Sequence, residues 1–194
     1  MDRLILASAS PRRAALLRAA GFAFEIIAAE IDDRIDVEET PDGYVRRMAL
    51  TKVDAVMPRA EGRPVLAAET VIIADGRILG APSDADDACR MLRLLSGREH
   101  IVTTAVCLAF RAGDSWQTRT RVERTTVEFA PLSEADIDWY VKSEEPLGRA
   151  GAYAADGLAS RFVTRVHGSH SNVLGLPVAA VYELCTAAGL RVCT

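Results

Sequence analysis

Along the chain, apolar positions switch between the two-residue period of strands and the three-to-four-residue period of helices. Arg3 to Ser8 is a short apolar run and predicts a buried strand. Ser10 as N-cap, Pro11 at the first helical position and Gly21 as the stop predict a helix from Pro11 to Ala20. Phe22 to Ala28 predicts a second strand, and the acidic stretch from Glu30 to Glu39 a loop. Thr40-Pro41 opens a helix to about Met57, with Tyr44, Val45 and Met48 on one face. Val65 to Ala74 and Arg77 to Leu79 flank Asp75-Gly76, a hairpin signal. Ser83 is the predicted cap of the next helix, with Asp86 completing an approximate capping box and Cys89, Leu92 and Leu95 pointing inward. Two long strands, about Glu99 to Phe110 and Trp116 to Phe129, are joined at Ala112-Gly113-Asp114. Ser133 caps a helix to Lys142, and a glycine-rich segment from Gly148 to Gly157 precedes a strand from Arg161 to Val166. The last helix starts at Pro177 and stops before Gly189. Hairpins mixed with strand–helix alternation predict an α/β fold with a mixed sheet, without repeats or an obvious linker.

Composition narrows the function. A chain of 194 residues, 49% of them apolar, has room for a sizeable core in one domain, which two lobes can share. A net charge of −4 offers no global positive field for a nucleic-acid polymer, so any nucleic-acid-like ligand is expected to be small and held locally. The apolar start is too short for a signal peptide, and no apolar run approaches the roughly 20 residues of a membrane span. Cys89, Cys107, Cys185 and Cys193 are scattered and form no CxxC pair, so core packing and a cytoplasmic location are expected.

Three regions carry chemistry. In Ser8-Ala9-Ser10-Pro11-Arg12-Arg13 a strand ends, two hydroxyls follow and a helix begins. Arginines in a first helical turn oppose the macrodipole, an arrangement that makes sense if an anion sits there. The alternative is a capped helix with two solvated arginines. In the second region Glu69, followed by Thr70, interrupts an apolar strand. A buried unpaired carboxylate is costly, so Glu69 is expected to face a cleft, a cation or a metal, unless it lies on an edge strand open to solvent. Asp33, beside Asp32, is a candidate second carboxylate, and Lys52 a candidate phosphate counter-charge; each alone also reads as a solvated surface charge. In the third region, Glu145 to Gly157, Gly and Ala permit close backbone approach to a ligand, with Arg149 and Asp156 as candidate polar contacts, or form a plain surface loop. His167 and His170 lie three apart on a loop and make a weak zinc signal. No nucleophile elbow or P-loop pattern is present.

Taken together, these segments resemble the Maf family of nucleotide pyrophosphatases over nearly the whole chain. The resemblance rests on Leu4 to Arg13, Gly80-Ala81-Pro82, Met91 to Gly97 with His100, Glu145-Pro146, Ala150 to Tyr153, and Gly175-Leu176-Pro177. It implies a single domain over residues 1–194: a mixed twisted sheet with flanking helices, two lobes around a central groove, related to the inosine-triphosphatase-like fold. It further implies a homodimer and metal-dependent hydrolysis of a nucleoside triphosphate to monophosphate and pyrophosphate. Arg12 stands where members preferring 7-methyl-GTP typically carry tryptophan, which favours the branch acting on dTTP and UTP.

Glu69 and Asp33 are then expected to hold Mg, Mn or Co or to serve as base, with Lys52 among the catalytic groups. Ser8, Ser10, Arg12, Arg13, Thr70, Arg149 and Asp156 are expected to bind substrate. The chain departs from the family's usual pattern in several places. Family proteins usually have aspartate at the position of Glu69, glutamate at Asp33, lysine at Ala81 and at Arg149, and glutamine at Asp156. A nucleotide-binding regulator with weak or no hydrolysis, linked to division control, is one competing expectation, best supported by the alanine at position 81; an enzyme cleaving a modified pyrimidine nucleotide, which Asp156 would explain, is another.

Overall fold

The structure is a computed structural model, and it describes residues 2–31 and 39–192. In chain order the elements are β1 (Leu4–Leu6), α1 (Pro11–Ala19), β2 (Phe24–Ile26), α2 (Pro41–Val56), β3 (Val65–Ala74), β4 (Arg77–Leu79), α3 (Ala85–Leu95), β5 (Glu99–Ala112), β6 (Ser115–Phe129), α4 (Glu134–Val141), β7 (Val163–His167), α5 (His170–Val173) and α6 (Val178–Ala187). Short 3-10 turns occupy Met57–Arg59, Ala150–Ala152 and Leu158–Arg161. The strands form one seven-stranded sheet in the order β2-β1-β3-β5-β6-β7, with β4 paired to β3. The β1–β2 and β1–β3 pairs are parallel, whereas β3–β4 and β6–β7 are antiparallel, so the sheet is mixed as the sequence predicts.

Local signals account for the elements. Ser10 Oγ accepts from the Arg13 amide at 3.4 Å and Pro11 opens α1, which satisfies one of the helix's orphan donors. Thr40 caps α2 in the same way through Gly43. Asp75 and Gly76 adopt φ of +48° and +72°, the left-handed pair of a tight hairpin turn, and place Ala74 opposite Arg77.

Some boundaries differ from the sequence expectation. The second strand is shorter, Phe24–Ile26. The cap of α3 is Asp84 rather than Ser83: its carboxylate accepts from the Asp87 amide at 2.8 Å, while the Asp87 carboxylate accepts from the Ser83 amide at 3.1 Å. Aspartate caps as well as serine, and two such residues in a row left the register ambiguous. The last strand begins at Val163, because Leu158–Arg161 forms a 3-10 turn first.

Two compact units emerge. The first comprises residues 1–69, 104–123 and 175–194, the second residues 70–103 and 124–174. Three of the four boundaries fall inside β3, β5 and β6, and the fourth lies between α5 and α6. In the first unit Leu4, Leu6, Leu17, Leu66, Leu108 and Val181 lead a buried apolar cluster. In the second, Leu92, Leu95, Phe129, Ile137, Tyr140 and Phe162 do so. Cys107 and Cys185 are buried free thiols, as core packing requires, and Cys89 is half-buried. Cys193 lies outside the described residues.

Candidate active site

In the first unit β1 delivers Ser8, which is buried at 7% exposure, to the start of α1. Its Oγ accepts from the Ser10 amide at 3.2 Å and from an Arg13 terminal nitrogen at 3.4 Å. Arg13 Nε donates to the Gly175 carbonyl at 2.9 Å, so the guanidinium is fixed on both sides. Burial pushes the Arg13 pKa down; the Glu69 charge pulls it up and the Arg12 charge pushes it down again. Both neighbours therefore act on Arg13 through a medium that screens poorly. These arginines belong to a half-buried cluster and are not the solvated pair of the bland alternative.

Glu69 sits on β3 between buried Ala68 and half-buried Thr70. Lys52, from α2, donates to Glu69 Oε2, and both side chains are mostly covered, at 17% and 15% exposure. The cation expected beside this carboxylate is thus a lysine of the chain itself. Among the described residues Glu69 Oε1 makes no hydrogen bond, which leaves one hard oxygen donor available. A carboxylate oxygen of this kind suits Mg²⁺ or Mn²⁺. Asp33 falls outside the described residues.

In the second unit Gly148 to Gly157 is a tight, anchored run. Gly151, at φ +65°, donates its amide to the Gly80 carbonyl at 2.9 Å, and a Cβ there would lie 2.5 Å from Ile72 Cδ1. Small residues are needed here for close packing inside the unit. Arg149 is half-buried, Asp156 is exposed, and Ala81 is exposed beside Gly80. The structure thus brings Ser8, Ser10, Arg12, Arg13, Lys52 and Glu69 into one unit and puts Thr70, Arg149 and Asp156 in the other.

Two features escaped sequence reasoning. Glu99, Glu128 and His167, on β5, β6 and β7, present donor atoms all within 4.8 Å of one another, a group able to hold a metal ion. No local motif reveals it, since only strand pairing gathers the three. His100, at 2% exposure, meets the Tyr153 hydroxyl through Nε2 at 2.8 Å and packs edge-on against Phe129, and burial pushes its pKa down to about 4.

The strand order and flanking helices define an α/β protein built on one mixed sheet. The same fold is seen in the Ham1 proteins of Staphylococcus aureus and Coxiella burnetii. Each matches with a TM-score of 0.51, at 13% and 16% identity, over 96% and 97% of this chain and 100% and 99% of theirs. The chain belongs to the family described as Maf-like protein, whose family model matches residues 3–188. A dTTP/UTP pyrophosphatase of Anaeromyxobacter dehalogenans is 49% identical over 187 residues, 96% of this chain and 94% of its own. A dTTP/UTP pyrophosphatase of Symbiobacterium thermophilum is 41% identical over all of this chain and 98% of its own. Among the described residues no helix is long and apolar enough to cross a membrane.

Proposed function

We propose that this protein is a nucleoside triphosphate pyrophosphatase that converts dTTP and UTP to the monophosphate and pyrophosphate. The observation that carries the reading is the electrostatic cluster in which Glu69 acts on Arg13 while Lys52 holds Glu69 Oε2. Near-full-length similarity to two relatives bearing that activity supports it.

In this reading Ser8, Ser10 and the first turn of α1, with Arg12, Arg13 and Lys52, hold the triphosphate and offset charge developing on the leaving pyrophosphate. A water attacks the α-phosphorus in line, the Pα–O bond to the β-phosphate breaks, and pyrophosphate departs with the bonding pair. Lys52 keeps the Glu69 carboxylate oriented, so that Oε1 accepts the proton of the water or serves as a metal ligand with Asp33. A divalent cation, Mg²⁺, Mn²⁺ or Co²⁺, would supply Lewis-acid polarisation of the phosphate oxygens. Thr70 and Arg149 are taken as further substrate contacts, and the backbone of the Gly148–Gly157 segment, with Asp156, as the part that meets the base. The proposal includes a cytoplasmic homodimer that binds neither a nucleic-acid polymer nor a membrane.

The test is pyrophosphate release from dTTP, UTP, CTP, 7-methyl-GTP, modified pyrimidine triphosphates and purines with each metal, with Glu69→Ala as control. Turnover of dTTP and UTP that the control lacks supports the reading. Binding without turnover would overturn it in favour of the regulator that Ala81 suggests, and selective turnover of a modified pyrimidine would point to Asp156 as the cause.

A further inference from the structure

Asp156 stands at the exposed tip of a short span that is clamped on both sides. Before it, the Ala154 amide donates to the Tyr140 hydroxyl at 3.1 Å. After it, the Leu158 amide donates to Glu145 Oε2 at 3.0 Å and the Ala159 amide to Glu145 Oε1 at 3.3 Å. The two clamps are one assembly, because the Tyr140 hydroxyl donates to Glu145 Oε1 at 2.9 Å. Tyr140 is fully buried on α4, which makes it a rigid post. The span closes on itself through the Gly157 amide, which donates to the Ala154 carbonyl at 3.1 Å. Gly157 leaves room for the Glu145 carboxylate: a Cβ there would lie 2.2 Å from Glu145 Oε2 and would push that side chain off its amides.

We propose that Glu145, acting with Tyr140, is a positioning residue that fixes where Asp156 is presented and thereby sets nucleobase selectivity. The inference rests on the reading of the Gly148–Gly157 segment as the side facing the base. The chemistry of the clamp requires the carboxylate. All three of its partners donate, and an ionised carboxylate accepts at both oxygens. A glutamine of the same shape turns at least one N–H against another donor, and the tip loosens on one side. Tyr140→Phe keeps the buried ring but loses the bond to Glu145 and the acceptor for Ala154. Both changes act through Asp156 and touch no group assigned to phosphate or metal.

The experiment measures kcat and KM of the full chain for dTTP, UTP, CTP and GTP in Glu145→Gln, Tyr140→Phe, Asp156→Asn and the Glu145→Gln/Asp156→Asn pair. Glu145→Gln and Tyr140→Phe are expected to raise KM for the preferred nucleotide about tenfold, the scale of one lost charge-assisted hydrogen bond, with kcat little changed. Discrimination between bases should shrink with it. The pair should show no loss of discrimination beyond that of Asp156→Asn alone, as expected for residues acting through one group. If Glu145→Gln yields no folded protein, Tyr140→Phe carries the test. Equal loss of kcat/KM for every nucleotide in both variants would make the clamp merely structural and overturn the proposal. Unchanged discrimination in these variants beside an altered Asp156→Asn would also overturn it. Unchanged discrimination in Asp156→Asn would remove the underlying reading, and the inference with it.

Discussion

Lys52 on α2 donates to the Glu69 carboxylate on β3, so a charge that interrupts an apolar strand is matched by a cation from the helix seventeen residues earlier. Each charge covers part of the cost of burying the other. Lys52→Ala and Glu69→Ala should therefore each lose about 1–3 kcal/mol of stability in urea unfolding. The double variant should lose clearly less than the sum. Pyrophosphate release should be abolished in Glu69→Ala and in the double variant. Full additivity in unfolding would mean that the pair does not interact energetically.

His100 predicts a pH dependence of stability. Its pKa is near 4 in the folded chain, below the ordinary histidine value of 6.5. Between those values the unfolded chain binds the extra proton and the folded chain does not, so stability falls as pH drops from about 6.5 to about 4. The part due to His100 is on the order of 3 kcal/mol, and it is fully present above pH 6.5. Urea midpoints at pH 7 and 4.5 should differ much less in His100→Leu than in the parent, whereas an equal slope in both would assign the effect elsewhere.

Gly151 combines a positive φ with contact to Ile72. Gly151→Ala should cost about 2 kcal/mol or more, from backbone strain and overpacking together. Ile72→Val removes the methyl nearest the new Cβ and should recover part of that loss in the double variant. No recovery in chemical denaturation would leave backbone strain as the whole cause.

Ala81 is exposed, so a lysine fits there without disturbing the core. Ala81→Lys should raise kcat/KM for dTTP about tenfold if its ammonium reaches the triphosphate, the scale of a charge-assisted hydrogen bond. Steady-state pyrophosphate release checks this, and an unchanged value would place position 81 out of reach of the phosphates.

Much of this was legible because it is local. Ser10-Pro11 announces α1, Asp75-Gly76 announces the turn between β3 and β4, and the Glu69 side chain stands out against an apolar strand. What stayed hidden depends on distant pairing. Nothing near Glu69 points to Lys52, and nothing near His167 points to Glu99 and Glu128. The role of Glu145 was equally unreadable, since its partners are a helix residue before it and amides thirteen and fourteen residues after it. Ser169 caps the four-residue α5, a signal too short to rise above the surrounding polar loop.

The interleaving of the two units has a consequence for folding during synthesis. The core of the first unit joins Leu4 and Leu6 to Leu176, Val181, Leu184 and Val192. The second unit draws only on residues 70–103 and 124–174. On the ribosome, the second unit has all of its residues before the first does. The opening strand β1 must wait, partly uncovered, until α6 emerges, the reverse of the usual order in which the N-terminal body folds first.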